Sequence, residues 1–254
     1  MTASENRVAL VTGSALGIGA AIAEQLARDG MTVLVSDLNE AEAGRTAARF
    51  REQGFTAEPL ELDVSDPASI AAAFAVVGNR FGRCDVVVNN AGIAKTFPFL
   101  DFPLDNFAAT MAVNVTGTLL CAQRAAQLMV PRGWGRIINI ASVAGMRSVG
   151  HGRTAYGTSK AAVIGLTRQI ASELAEAGIT ANAVAPGPVD TPMTEVLHSP
   201  EFRSTYTAAV PMKRYGKPSE VADLVSFLAS DRAAYITGAV IPVDAGFMGA
   251  GALG

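Results

Sequence analysis

The stretch Val8-Ala-Leu-Val-Thr-Gly-Ser-Ala-Leu-Gly-Ile-Gly19 runs four apolar residues into a glycine-rich turn and then into a helical pattern continued by Ile18, Ile22 and Leu26. A buried strand, a tight turn and a helix is the opening of a βαβ unit. Gly13, Gly17 and Gly19 fall at the turn, in the spacing G-x-x-x-G-x-G rather than G-x-G-x-x-G. Backbone N–H groups and a helix N-terminus can face an anionic pyrophosphate there without Cβ obstruction. The same glycines also suit a plain βα turn, so context decides between the two readings.

Apolar runs recur along the chain: Val8 to Val11, Thr32 to Ser36, Pro59 to Leu62, Val86 to Val88, Arg136 to Ile140, Thr180 to Ala185 and Ala239 to Val243. Helical periods separate them, as in Ile70, Phe74, Val77 and Phe81, which Asp66 opens as N-cap with Pro67 at the first helical position. The alternation predicts an α/β fold, a doubly wound parallel sheet with helices on both faces. The 254 residues, 50% hydrophobic and 17% charged, suit one domain spanning 1–254.

A formal charge of −3 leaves no footprint for nucleic acid or an anionic membrane. The polar start MTASEN and the lack of an 18-residue apolar run predict neither leader nor membrane span, and a cytoplasmic location. Two cysteines, Cys84 and Cys121, and two histidines, His151 and His198, give no disulfide or metal pattern.

Asp37 ends the second strand, 18 residues after Gly19, where a carboxylate can accept both adenosine ribose hydroxyls or cap the helix near Glu40. A 2′-phosphate would meet like charge there, and Ser14, Ala15, Leu16, Leu38 and Asn39 offer no compensating cation. NAD is therefore expected over NADP. Asp63-Val64 and Asn89-Asn90-Ala91-Gly92 follow the third and fourth strands, either as ligand contacts or as turn chemistry. Tyr156 and Lys160 stand at i and i+4 in AYGTSK, one face of a helix, where a lysine ammonium would favour the phenolate of a proton-transfer tyrosine.

TGSALGIG (12–19), NNAG (89–92), Asn114, Ser142, YGTSK (156–160) and PGPVDTPM (186–193) together resemble the short-chain dehydrogenase/reductase family over essentially the whole chain. The resemblance implies a single-domain Rossmann fold with a seven-stranded parallel sheet, frequently tetrameric. It implies Tyr156 as general acid/base, Ser142 as the hydroxyl holding the substrate oxygen, Lys160 on the nicotinamide ribose and Asn114 beside a relay water. Gly13, Ser14, Leu16, Gly17, Ile18, Gly19, Asp37, Leu38, Asp63, Val64, Asn90, Ala91 and Gly92 would line the cofactor site, with Pro186, Gly187, Val189 and Thr191 near the carboxamide. Segment 190–218 resembles the family's mobile substrate lid.

Ser142 and Tyr156 are 14 positions apart, one more than is usual in the family, and the loop between them carries Arg147, His151 and Arg153. Arg153 stands three before the tyrosine, where hydroxy-acid enzymes of the family can place a carboxylate-binding base; all three charges are otherwise ordinary loop residues. The resulting expectation is an NAD-dependent dehydrogenase of a secondary alcohol, namely a hydroxy acid, sugar acid or polyol. The alternatives are a 3-oxoacyl carrier-protein reductase and a non-catalytic NAD-binding sensor. The apolar run Phe107 to Met129 and the helix from Tyr156 should be buried on both sides, which suggests a homo-oligomer, as the family's tetramer would provide. The tail GFMGAGALG is expected to be flexible or docked on a neighbour.

Overall fold

The computed structural model describes residues 7–249; residues 1–6 and 250–254, and the expectations that fell on them, lie outside the described residues. Among the described residues seven strands form one parallel sheet: β1 (Val8–Thr12), β2 (Thr32–Asp37), β3 (Ala57–Glu61), β4 (Val86–Asn89), β5 (Gly135–Ile140), β6 (Ile179–Pro186) and β7 (Val240–Val243). Their order is β3-β2-β1-β4-β5-β6-β7, so the chain reverses direction across the sheet between β1 and β4. Ligands of open α/β sheets bind at the strand carboxyl ends beside such a reversal. Each strand lies within two residues of its expected position. Pro59 is accommodated because β3 is an edge strand.

The helices are α1 (Gly17–Arg28), α2 (Glu40–Glu52), α3 (Pro67–Phe81), α4 (Leu104–Met111), α5 (Thr118–Met129), α6 (Thr154–Leu174), α7 (Pro192–Leu197), α8 (Pro200–Ala209) and α9 (Pro218–Ala229). Strand residues alternate between two cores. Ala9, Val11, Val33, Val35, Val86 and Val88 pack under α1, α2 and α9, while Val8, Leu10, Leu34, Val87 and Ile137 pack under α3 and α5. At roughly 1.5–3 kcal/mol per buried aliphatic side chain, these two layers hold the strand ends rigid. Asp66 caps α3 through the amides of Ala68 and Ser69, as its spacing predicted.

The apolar run from Phe107 to Met129 is not one regular helix. A π turn over Ala112–Gly117 joins α4 to α5 and carries Asn114. Gly117 is required there, since a Cβ would stand 2.5 Å from the Val64 carbonyl oxygen. Leu119 on α5 remains exposed.

Candidate active site

Where β1 and β4 diverge, their carboxyl ends and the turns after them form a cleft of about 480 Å³. The Thr12 hydroxyl accepts from the amides of Asn90 and Ala91 at 3.0 Å each, and Asn90 Nδ2 donates to the carbonyls of Thr12 and Gly13. These four bonds lock the glycine turn against the β4 end. The turn admits only glycine at two places. Gly13 has φ of +61° and a Cβ on it would lie 2.8 Å from Ala91 Cα; a Cβ on Gly19 would lie 2.3 Å from the Gly13 oxygen.

Helix α1 starts at Gly17 with no side-chain cap on its first amides and no acid in its first turn. An uncapped helix N-terminus on a close backbone approach fits a dinucleotide pyrophosphate. At one end of the cleft Asp37 accepts from the amides of Ala15 (3.2 Å) and Asn39 (3.1 Å), which fixes its carboxylate. Capping of α2 is done by Asn39, which accepts from Glu42 N, and not by Asp37.

Tyr156 and Lys160 share one face of α6, with Lys160 Nζ 5.8 Å from the phenol ring centre. Lys160 is buried and donates to the Ile140 carbonyl at 2.7 Å. Burial raises the Tyr156 phenol above its ordinary value, against the opposing pull of the Ser142 hydroxyl and the Arg153 charge. Burial also lowers Lys160 to about 8. Both groups are pushed toward their neutral forms.

Of the residues expected at the cofactor site, Gly13, Leu16, Gly17, Ile18, Gly19, Asp37, Leu38, Asp63, Val64, Asn90, Ala91, Gly92, Tyr156, Lys160, Pro186, Gly187, Val189 and Thr191 line the cleft. Ser14 does not. It is fully buried, donating to the Val11 carbonyl at 2.7 Å and accepting from Ser36 N, so it ties β1 to β2. Asn114 also lies behind the wall: its amide is committed to both backbone groups of Ile93 and to Ser159 Oγ, whose hydroxyl donates to the Tyr156 carbonyl.

A second cavity, about 70 Å³, opens on the other side of Tyr156 and Ser142. Its walls include Lys95, Thr96, Arg153, Met193, Thr194, Leu197, His198 and Tyr206. Arg153 therefore reaches the site, because Gly152 at φ +74° brings the loop against Phe97, whose amide donates to the Gly152 carbonyl. Arg147 and His151 do not reach it. Both are exposed, and Arg147 lies over the Phe247 ring at 5.1 Å.

The segment after Val189 lines one side of this cavity. Its neck is pinned by a bridge between Val189 and Gly216, and Asp190 pairs with Arg203. Phe202, Tyr206, Tyr215, Phe247 and Met248 form one apolar cluster with Val143 and Val149, so the described start of the glycine-rich tail docks on its own chain. His198 and Lys95 are wall residues that the sequence left without a role. A lone histidine after a short helix, and a lysine in a loop, carry no local signal.

The family profile described as Enoyl-(Acyl carrier protein) reductase matches residues 13–248. The chain belongs to the short-chain dehydrogenase/reductase family of nicotinamide-dependent oxidoreductases. It is 42% identical over 243 residues to the 3-oxoacyl-[acyl-carrier-protein] reductase FabG of Aquifex aeolicus, covering 95% of this chain and 97% of that one. It is 41% identical over 250 residues to the 3-oxoacyl-[acyl-carrier-protein] reductase of a Synechocystis strain, covering 98% and 99%. Among solved structures, a gluconate 5-dehydrogenase from Burkholderia cenocepacia, in complex with NADP and tartrate, superposes with a TM-score of 0.93 at 35% identity over 97% of both chains.

Proposed function

We propose that the chain interconverts a secondary alcohol and a ketone on a small substrate bearing a negative charge, a hydroxy acid or sugar acid. The observation that carries this reading is the second cavity, whose walls hold two cations, Arg153 and Lys95, and no carboxylate. A guanidinium beside the reacting groups suits a carboxylate. The Burkholderia cenocepacia relative has been seen with tartrate, a hydroxy dicarboxylate, which is consistent with it.

A nicotinamide held in the cleft would supply or accept the hydride. Tyr156 takes the alcohol proton in oxidation and returns it in reduction, Ser142 holds the substrate oxygen, and Lys160 with Gly13, Gly17, Gly19 and Asp37 holds the dinucleotide. Asn114 acts through Ser159 and Ile93 on the placement of α6. NAD is the preferred cofactor in this reading. Asp37 is fixed at the cleft end, and Lys160 is the only cation among the residues lining the cleft. The NADP-bound relative weighs the other way.

The names of the relatives favour a different substrate, a 3-oxoacyl group on a carrier protein. The two readings separate on charge. Acetoacetate and its N-acetylcysteamine thioester share the same ketone, but only the first is anionic. Higher kcat/KM for acetoacetate and other keto acids, measured with NADH and NADPH, is expected; preference for the neutral thioester with NADPH would establish the carrier-protein reading instead. Turnover of either eliminates a non-catalytic sensor. Assembly as a homotetramer in the cytoplasm completes the proposal, with the exposed Leu119 on α5 consistent with a contact face.

A further inference from the structure

Arg153 is held by an unusual partner. Its Nη2 lies 2.8 Å from His198 Nε2, and His198 Nδ1 lies 3.0 Å from the Tyr215 hydroxyl. A guanidinium only donates, so Nε2 accepts, and the ring proton sits on Nδ1 facing Tyr215. The imidazole is 7% exposed and packed against Phe202, ring centres 4.6 Å apart, while the Arg153 guanidinium lies 5.2 Å from the same phenyl ring. Among the described residues Arg153 makes no ion pair with a carboxylate.

A carboxylate at position 198 would hold the guanidinium more tightly but would also cancel its charge. A neutral imidazole fixes the same geometry and leaves the charge for a ligand. His198 belongs to the lid, between α7 and α8, whereas Arg153 belongs to the loop before α6. The hydrogen bond between them therefore crosses from lid to body at the cavity wall.

We propose that His198 is a positioning residue for the substrate: as a neutral acceptor it aims Arg153 into the cavity, and it couples closure of the lid to the binding of an anionic substrate. The inference rests on the reading of Arg153 as an anion-binding residue. Burial, with the charges of Arg153 and Arg203, lowers the His198 pKa to about 4, consistent with a neutral ring at neutral pH. Because coupling is reciprocal, an anion that binds Arg153 stabilises the closed lid, and a neutral ligand of the same shape does not.

The test compares acetoacetate with methyl acetoacetate in the full chain and in three variants. His198→Phe keeps a ring in the aromatic cluster and removes the acceptor; His198→Gln restores an acceptor; Arg153→Ala removes the cation. His198→Phe should raise KM for acetoacetate by roughly 2- to 10-fold, the scale of one hydrogen bond, with kcat and the kinetics of the ester unchanged within about twofold. His198→Gln should recover most of the loss. Acetoacetate with NADH should protect the amides of 190–216 from hydrogen exchange in the unmodified chain and not in His198→Phe. Equal losses on acid and ester, or no loss on either, overturn the positioning role. If Arg153→Ala shows an acid-specific loss and His198→Phe does not, this proposal fails alone. If Arg153→Ala discriminates nothing, or acetoacetate gives neither turnover nor protection, the anion-binding reading fails and takes the proposal with it.

Discussion

The cleft between Gly13 and Asp37 is lined by the glycine turn after β1 and by residues at the ends of other strands, whereas the cavity beside Arg153 is lined by the 94–96 loop, the loop before α6 and the segment after Val189. In the first, glycines at fixed turns let the chain approach a ligand, and four hydrogen bonds from Thr12 and Asn90 hold them. In the second, an aromatic cluster and hydrogen bonds between segments, Arg153 to His198 and Phe97 to Gly152, do the holding. The cleft is built mainly on the strand ends and the turns after them, with Thr191 to Thr194 along one side. The cavity is assembled from separate elements, so its shape depends on the contacts between them.

Removing the proton-transfer group should separate the two regions most strongly. Tyr156→Phe is expected to lose roughly 10²- to 10⁴-fold in turnover while retaining cofactor affinity by fluorescence titration. Near-normal turnover would remove Tyr156 from the chemistry.

The next largest effect belongs to the far end of the cleft. Asp37→Ala should weaken NAD by roughly 10- to 150-fold, the range for losing a hydrogen bond to a charged group, and adding Leu38→Arg should move selectivity to NADP. Equal or greater kcat/KM with NADP in the unmodified chain would show that Asp37 does not set the preference.

On the cavity side, Arg153→Ala should reduce kcat/KM roughly 10- to 150-fold for acids and little for neutral alcohols. An equal loss on both classes would make Arg153 a structural residue.

The smallest expected effect is in pH dependence, and it places the two regions in different windows. Lys160 falls to about 8 from 10.5, so the unfolded chain binds the extra proton between those values and stability rises with pH across them. Any stability advantage of Lys160→Met should therefore shrink from about pH 8 to about pH 10.5. His198 falls to about 4 from 6.5, so an opened lid binds the proton between those values. Lid closure should weaken as pH falls from about 6.5 to about 4, read as proteolytic cleavage within 190–216 in the unmodified chain and its absence in His198→Gln. Identical profiles in both would leave His198 out of lid closure.

The sequence by itself determined the sheet and the cofactor cleft. Strand periodicity, the helix start at Asp66-Pro67, glycine turns and an i,i+4 pair are local, since each follows from the geometry of a few adjacent residues. Only the tertiary structure decided the rest. Ser14 and Arg153 both lie on turns or loops, yet one folds inward to tie β1 to β2 and the other reaches a cavity, because Ser36 and Gly152 place them so. Asn114 became a clamp behind the wall through a π turn. Burial, which is a property of the whole fold, raises the Tyr156 phenol and lowers Lys160, an influence that the i,i+4 spacing does not carry. His198 gained a role from an arginine 45 residues earlier in the chain, and no local pattern encodes that distance.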